Sequence, residues 1–74
     1  MQVVLGVKYV SDSIDFETKQ SADEVREAIA NTNENSMIEL TDINNRKIIM
    51  PKESLSYAII GDKPKHTVGF GALN

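Results

Sequence analysis

The sequence predicts an α+β domain in the order β-β-α-β-β-β, with one helix on one face of a mostly antiparallel five-stranded sheet. Three observations lead there. Apolar residues alternate through "VVLGVKYV" and again through "SIDFETK". A helix-capping signature opens "SADEVREAIA". Three short runs suited to strands, "SMIELTD", "RKIIMP" and "SLSYAIIG", then follow between turn signals. At 74 residues the chain has room for a single domain, read as a core over 1–61 and a tail over 62–74.

In the first strand Val3, Leu5, Val7 and Tyr9 share one face, and Val4, Gly6 and Lys8 share the other. "SDS" breaks the alternation, because short polar side chains bond back to the backbone in turns. Ile14, Phe16 and Thr18 then point inward and Asp15, Glu17 and Lys19 outward, so the two segments form a hairpin. A hairpin followed by a helix also opens ubiquitin-like folds, which makes a β-grasp-like arrangement the alternative architecture.

Ser21 with Glu24 three residues later forms a capping box. Asp23 and Glu24 also sit where the helix dipole favours negative charge. Ala22, Val25, Ala28 and Ile29 make the stripe that lies on the sheet. Asn31, Asn33 and Asn35 end the helix, asparagine being tolerant of the left-handed conformation. Asn44-Asn45 supplies positive φ to the next hairpin. Pro51 closes the fourth strand, "PKES" turns the chain, and Gly61 to Pro64 is a loop.

Net charge is −3, with an uneven distribution. Between Asp12 and Asp42 nine acids face Lys19 and Arg26, whereas Arg46, Lys47, Lys52, Lys63 and Lys65 make the C-terminal part basic. Cysteine is absent and histidine occurs once, which excludes disulfides and thiolate metal sites and argues against a structural zinc site. No apolar run approaches the roughly 20 residues of a membrane span, and "MQVVLGVKYV" reads as a strand rather than a leader. A cytoplasmic location is expected.

No catalytic constellation emerges, and neither an enzymatic activity nor a cofactor is expected. His66 has no acid within two residues to orient it as a base. The carboxylates alternate outward on a strand or line a helix, and so small a chain hardly encloses the cleft that paired acids require. "DINN" lacks the calcium loop's length and its bidentate glutamate. "VGFG" has no helix after it and is no phosphate loop. Its glycines are separated by Phe70, unlike the di-glycine of ubiquitin-like carriers. The tail reads instead as a clasp or short sixth strand, Thr67 to Gly71, with Phe70 as its anchor.

"MQVVLGV", "QSADEV", "ELTDINNRKIIMP", "SLSYAIIG" and "VGFG" occur in this order and spacing, from about Met1 to Ala72. Together they resemble the small actinobacterial proteins of domain-of-unknown-function family 3107. The resemblance implies this element order and a short cytoplasmic protein; it brings no activity and no site residues. Against the family pattern, Asn45 stands in place of a glycine, and Val4 and Ile59 replace residues that tend to be charged.

Alternation puts Val4 and the row Leu55, Tyr57 and Ile59 on a face that one helix does not cover, and such apolar patches mark interfaces. The expected function is therefore a non-enzymatic protein-interaction module acting through its sheet face or edge. Its contacts are Val4, Leu55, Tyr57, Ile59 and Phe70, and its partner is a protein, with a second copy of the chain among the candidates. The competing expectation is weak single-stranded nucleic-acid binding by Arg46, Lys47, Lys52, Lys63 and Lys65 around Tyr57 and His66. An acidic sequence pI of about 4.9 counts against it.

Overall fold

The computed structural model describes residues 1–62. The expectations for Lys63, Lys65, His66 and the clasp with Phe70 lie outside the described residues. In chain order the elements are β1 (Gln2–Val7), β2 (Ser13–Glu17), α1 (Ala22–Ala30), β3 (Met37–Thr41), β4 (Lys47–Pro51) and β5 (Leu55–Ile60). The predicted order is present, and every strand pair is antiparallel.

The strands do not form one five-stranded sheet. They divide into a three-stranded sheet, β2-β1-β5, and a separate hairpin, β3-β4. The division occurs where β4 ends. Pro51 brings no N–H to a ladder, and a 3-10 turn at Lys52–Ser54 redirects the chain. β5 therefore pairs with β1 rather than β4. Both sheets share one core with the helix: Val3 and Leu5 of β1, Val25 of α1, Ile38 and Leu40 of β3, and Met50 of β4 are all buried.

Alternation in β1 holds as far as Val7. Tyr9 does not face inward as expected; it sits in the turn after the strand at φ 65, with its side chain fully exposed. The chain must reverse before Ser13, and a hydrogen bond from Val10 N to Val7 O (3.2 Å) closes that reversal around Tyr9. In β2, Phe16 packs against the core and Thr18 just beyond it is buried, while Ile14 reaches the open edge and is partly exposed.

The helix starts as predicted. Glu24 N donates to Ser21 Oγ (3.1 Å), and Ser21 N donates to Glu24 Oε1 (2.7 Å). Val25 is buried, with Ala28 and Ile29 packed beside it; Ala22 is exposed rather than part of the stripe. The helix end differs from expectation. Asn31 is right-handed, at φ −86 and ψ −1, and the last helical carbonyls accept locally, Glu27 O from Asn31 N (2.8 Å), Ala28 O from Thr32 Oγ1 (2.6 Å) and Ile29 O from Thr32 N (3.2 Å). The Lys52 ammonium adds to them, donating to Ile29 O (2.9 Å) and Thr32 O (2.8 Å). Its charge also opposes the negative end of the helix dipole. The asparagine expectation does hold in the β3–β4 hairpin, where Asn45 lies at φ 65.

Candidate functional site

Register defines the outer face of the three-stranded sheet. Val4 lies between Asp15 of β2 and Ile59 of β5, and Gly6 lies between Ser13 and Tyr57. Gln2, at the other end of β1, pairs with Glu17. The result is an apolar band on β1 and β5 beside a polar, acidic column on β2. The helix, β3 and β4 meet the sheet through Val3 and Leu5 on its opposite face. Among the described residues this band has no cover, and Tyr57 and Ile59 remain 49% and 56% exposed.

Leu55 does not belong to the row. The register shifts between Gly6 and Val7, so that Gly6 pairs with Tyr57 but Val7 with Leu55. Ser56 is the extra residue of this bulge, and a bulge reverses the face that follows it. Leu55 thereby joins Val7 on the inner side, packed against the core.

Gly6 positions Tyr57. A methyl group built on Gly6 would overlap the Tyr57 ring at Cδ2, Cε2 and Cζ. The ring therefore lies directly on the glycine backbone, a contact only a residue without Cβ permits. Sequence reading placed Gly6 on the correct face but did not foresee this role, because a strand glycine alone does not name its cross-strand neighbour.

Among the described residues, Arg46, Lys47 and Lys52 do not meet at one place. Arg46 and Lys47 stand at one end of β4 and Lys52 beyond the other, a separation of roughly 15–20 Å at strand rise. Each also has an internal partner. Arg46 Nε donates to Asp42 Oδ2 (2.6 Å). Lys47 Nζ donates to Thr41 Oγ1 (2.9 Å) and lies 3.8 Å from Glu39. Lys52 is held by the helix end.

An open groove of about 280 Å3 runs between β2 and β4, lined by Ile14, Phe16 and Ile48 with Asp15, Asp42 and Arg46 at its polar side. That volume falls just below the range of about 300–1,000 Å3 typical of small-molecule sites. Its carboxylate at Asp42 is already committed, accepting from Asn44 N (2.9 Å), Arg46 N (2.8 Å) and Arg46 Nε (2.6 Å). Burial pushes the Asp42 carboxyl up, but the Arg46 N–H, the Arg46 guanidinium and the Asn44 N–H together hold it below the ordinary carboxylate range. Asp42 thus organises its own turn. Among the described residues no group of three or more His, Cys, Asp or Glu side chains is placed to hold a metal. No helix there is long and apolar enough to cross a membrane.

With the element order, the Asn45 turn and the outer face in place, the comparison with known families is decisive. The model of the family described as "protein of unknown function (DUF3107)" matches residues 1–71. The chain belongs to the DUF3107 family. No curated protein matches it. Membership agrees with the blocks read in the sequence and carries no assigned activity, so the family leaves the functional reading to the geometry of the outer face.

Proposed function

We propose that this DUF3107 protein is a non-enzymatic protein-interaction module whose docking surface is the outer face of the three-stranded sheet. Tyr57 and Ile59 are its anchors, Val4 stands beside Ile59 on the central strand, and Asp15 and Glu17 form an acidic rim. One observation carries the reading: two large apolar side chains stand about half exposed on a sheet face that the domain's core does not use. Exposed apolar side chains clustered in one patch, rather than scattered, favour a partner, and aromatic anchors dominate such contacts. Nucleic-acid binding draws less support, since Lys52 stands apart from Arg46 and Lys47 and each of the three is bonded within the domain.

Crosslinking in cells that express the chain tests this. Partners recovered with the wild-type protein should fall at least about tenfold with Ile59→Lys, equivalent to about 1.4 kcal/mol of binding, while Glu53→Lys leaves them unchanged. Equal recovery for all three proteins refutes face docking. A salt-sensitive shift with labelled single-stranded RNA would instead favour the nucleic-acid reading.

A further inference from the structure

We infer that β5 is a self-pairing edge, and that two copies of this chain join β5 to β5 across a twofold axis into one continuous six-stranded sheet. The inference deepens the reading above by naming one partner for the same strand, a second copy of this chain.

The direction of the backbone groups follows from two hydrogen bonds. Thr18 N donates to Met1 O (2.9 Å), so the odd-numbered residues of β1 exchange bonds with β2. Gly61 N donates to Gln2 O (2.9 Å), so the even-numbered residues Val4 and Gly6 exchange bonds with Ile59 and Tyr57 of β5. The N–H and C=O groups of Ala58 and Ile60 therefore point away from β1, at what is an edge of the sheet among the described residues. No backbone or side-chain partner meets them among the described residues.

Edges of this kind template further pairing, and proteins normally blunt them with charge, proline or cover. Here the edges differ in a telling way. β2 carries Asp15 and Glu17, and the Ile43 N–H already occupies Glu17 O (2.8 Å). β3 carries Glu39, and β4 carries Lys47 and Pro51. β5, "LSYAII", has neither a charge nor a proline. An uncharged strand meets its own copy without repulsion, whereas β2 against β2 would set acids against acids.

One register uses the outward groups of both Ala58 and Ile60. With the axis at Ile59, Ala58 of each copy faces Ile60 of the other, and each such pair exchanges both of its hydrogen bonds. Ile59 then faces its own counterpart on the outer side, and the apolar bands carrying Tyr57 merge across the seam. The guarded β2 strands become the two outer edges, so assembly stops at the dimer. The footprint is small, in the class below about 1,200 Å2 that gives weak, exchanging complexes.

Sedimentation of the full chain from about 10 μM to 1 mM brackets the affinities expected of such an interface. The expected result is monomer at the low end and dimer at the high end. Ala58→Pro removes an outward donor while sparing the bonds to β1 and leaving Tyr57 and Ile59 on the face. It should therefore abolish the dimer but not partner capture in the crosslinking assay, so failure of the dimer and failure of face docking are read separately. Because that variant can fail to fold, a second test uses single cysteines in a chain that has none. Directly opposed residues at a wide pair lie about 4.5 Å apart, inside the disulfide range of about 4.4–6.8 Å between Cα atoms. In a glutathione redox buffer Ile59→Cys should couple at least about tenfold faster than Asp15→Cys. A monomer across the whole concentration range, or equal coupling at the two positions, overturns the proposal.

Discussion

Gly6 and Tyr57 offer a test in which the sign of an effect, not only its size, is predicted. In a strand, glycine is less favourable than alanine by roughly 0.5–1 kcal/mol because it loses more backbone freedom on folding. Gly6 has no positive φ that would exclude a side chain, so the backbone itself accepts alanine. The obstacle is the Tyr57 ring, which occupies the site of the new methyl group. The ring must swing away and give up its cover. A tyrosine buries about 150–250 Å2 when fully enclosed, and this one is about half enclosed. At about 25 cal/mol per Å2 the ring has roughly 2–3 kcal/mol of burial at stake. Losing most of it outweighs the backbone gain, so Gly6→Ala should destabilise the wild type by about 1–2 kcal/mol, in the overpacking range. With Tyr57→Ala already present, the same change should stabilise by roughly 0.5–1 kcal/mol. Urea unfolding followed by circular dichroism, run on the four proteins of the double-mutant cycle, measures both effects and their coupling. If Gly6→Ala has the same sign in both backgrounds, the ring does not rest on the glycine and the account of the outer face is wrong.

The core and the caps provide further checks. Ile38→Ala, at a fully buried position, should cost about 2–5 kcal/mol, against a total of roughly 4–11 kcal/mol expected for a domain of this length; thermal unfolding reads the loss. Ser21→Ala removes the side-chain half of the capping box and should cost about 1 kcal/mol. Lys52→Met removes the ammonium from the other helix end and should cost about 0.5–1 kcal/mol, less at high salt, as a charge opposing a helix dipole does. The pH dependence follows from Asp42. Its carboxyl titrates lower in the folded chain than in the unfolded one, so its contribution is complete above the unfolded value of about 3.9. That contribution disappears as pH falls through the lower folded value. The melting temperature should drop on acidification through this window, and Asp42→Asn should flatten the drop.

Local signals were legible in the sequence because local chemistry determines them. The capping box at Ser21 and Glu24, the positive φ at Asn45, the strand end at Pro51 and the inward face of Val3 and Leu5 all depend on near neighbours. The errors arose where distant segments decide. Leu55 follows the alternation of its own strand on paper, but the bulge opposite Gly6 and Val7 turns it inward, and no pattern within "LSYAII" announces that. The division of the sheet depends on whether β5 meets β4 or β1, a choice between partners far apart in sequence. The fate of Lys52 shows the same limit. As a charge in a basic stretch it invited a nucleic-acid reading, yet its ammonium ends a helix some twenty residues earlier in the chain. Of the proposed contacts, Val4, Tyr57 and Ile59 keep their place on the outer face because simple alternation reaches them without crossing the bulge.

The position of β1 has a consequence for biosynthesis. This strand leaves the ribosome well before one of its two neighbours, β5, whose Ile60 pairs with Val3 across nearly sixty residues of chain. Bringing such remote ends together costs roughly 3–4 kcal/mol in loop-closure entropy, and nothing offsets that until Tyr57, Ile59 and Ile60 have emerged. The amino-terminal hairpin must therefore wait during translation with one side of its inner strand unpaired. The three-stranded sheet closes only once β5 has emerged.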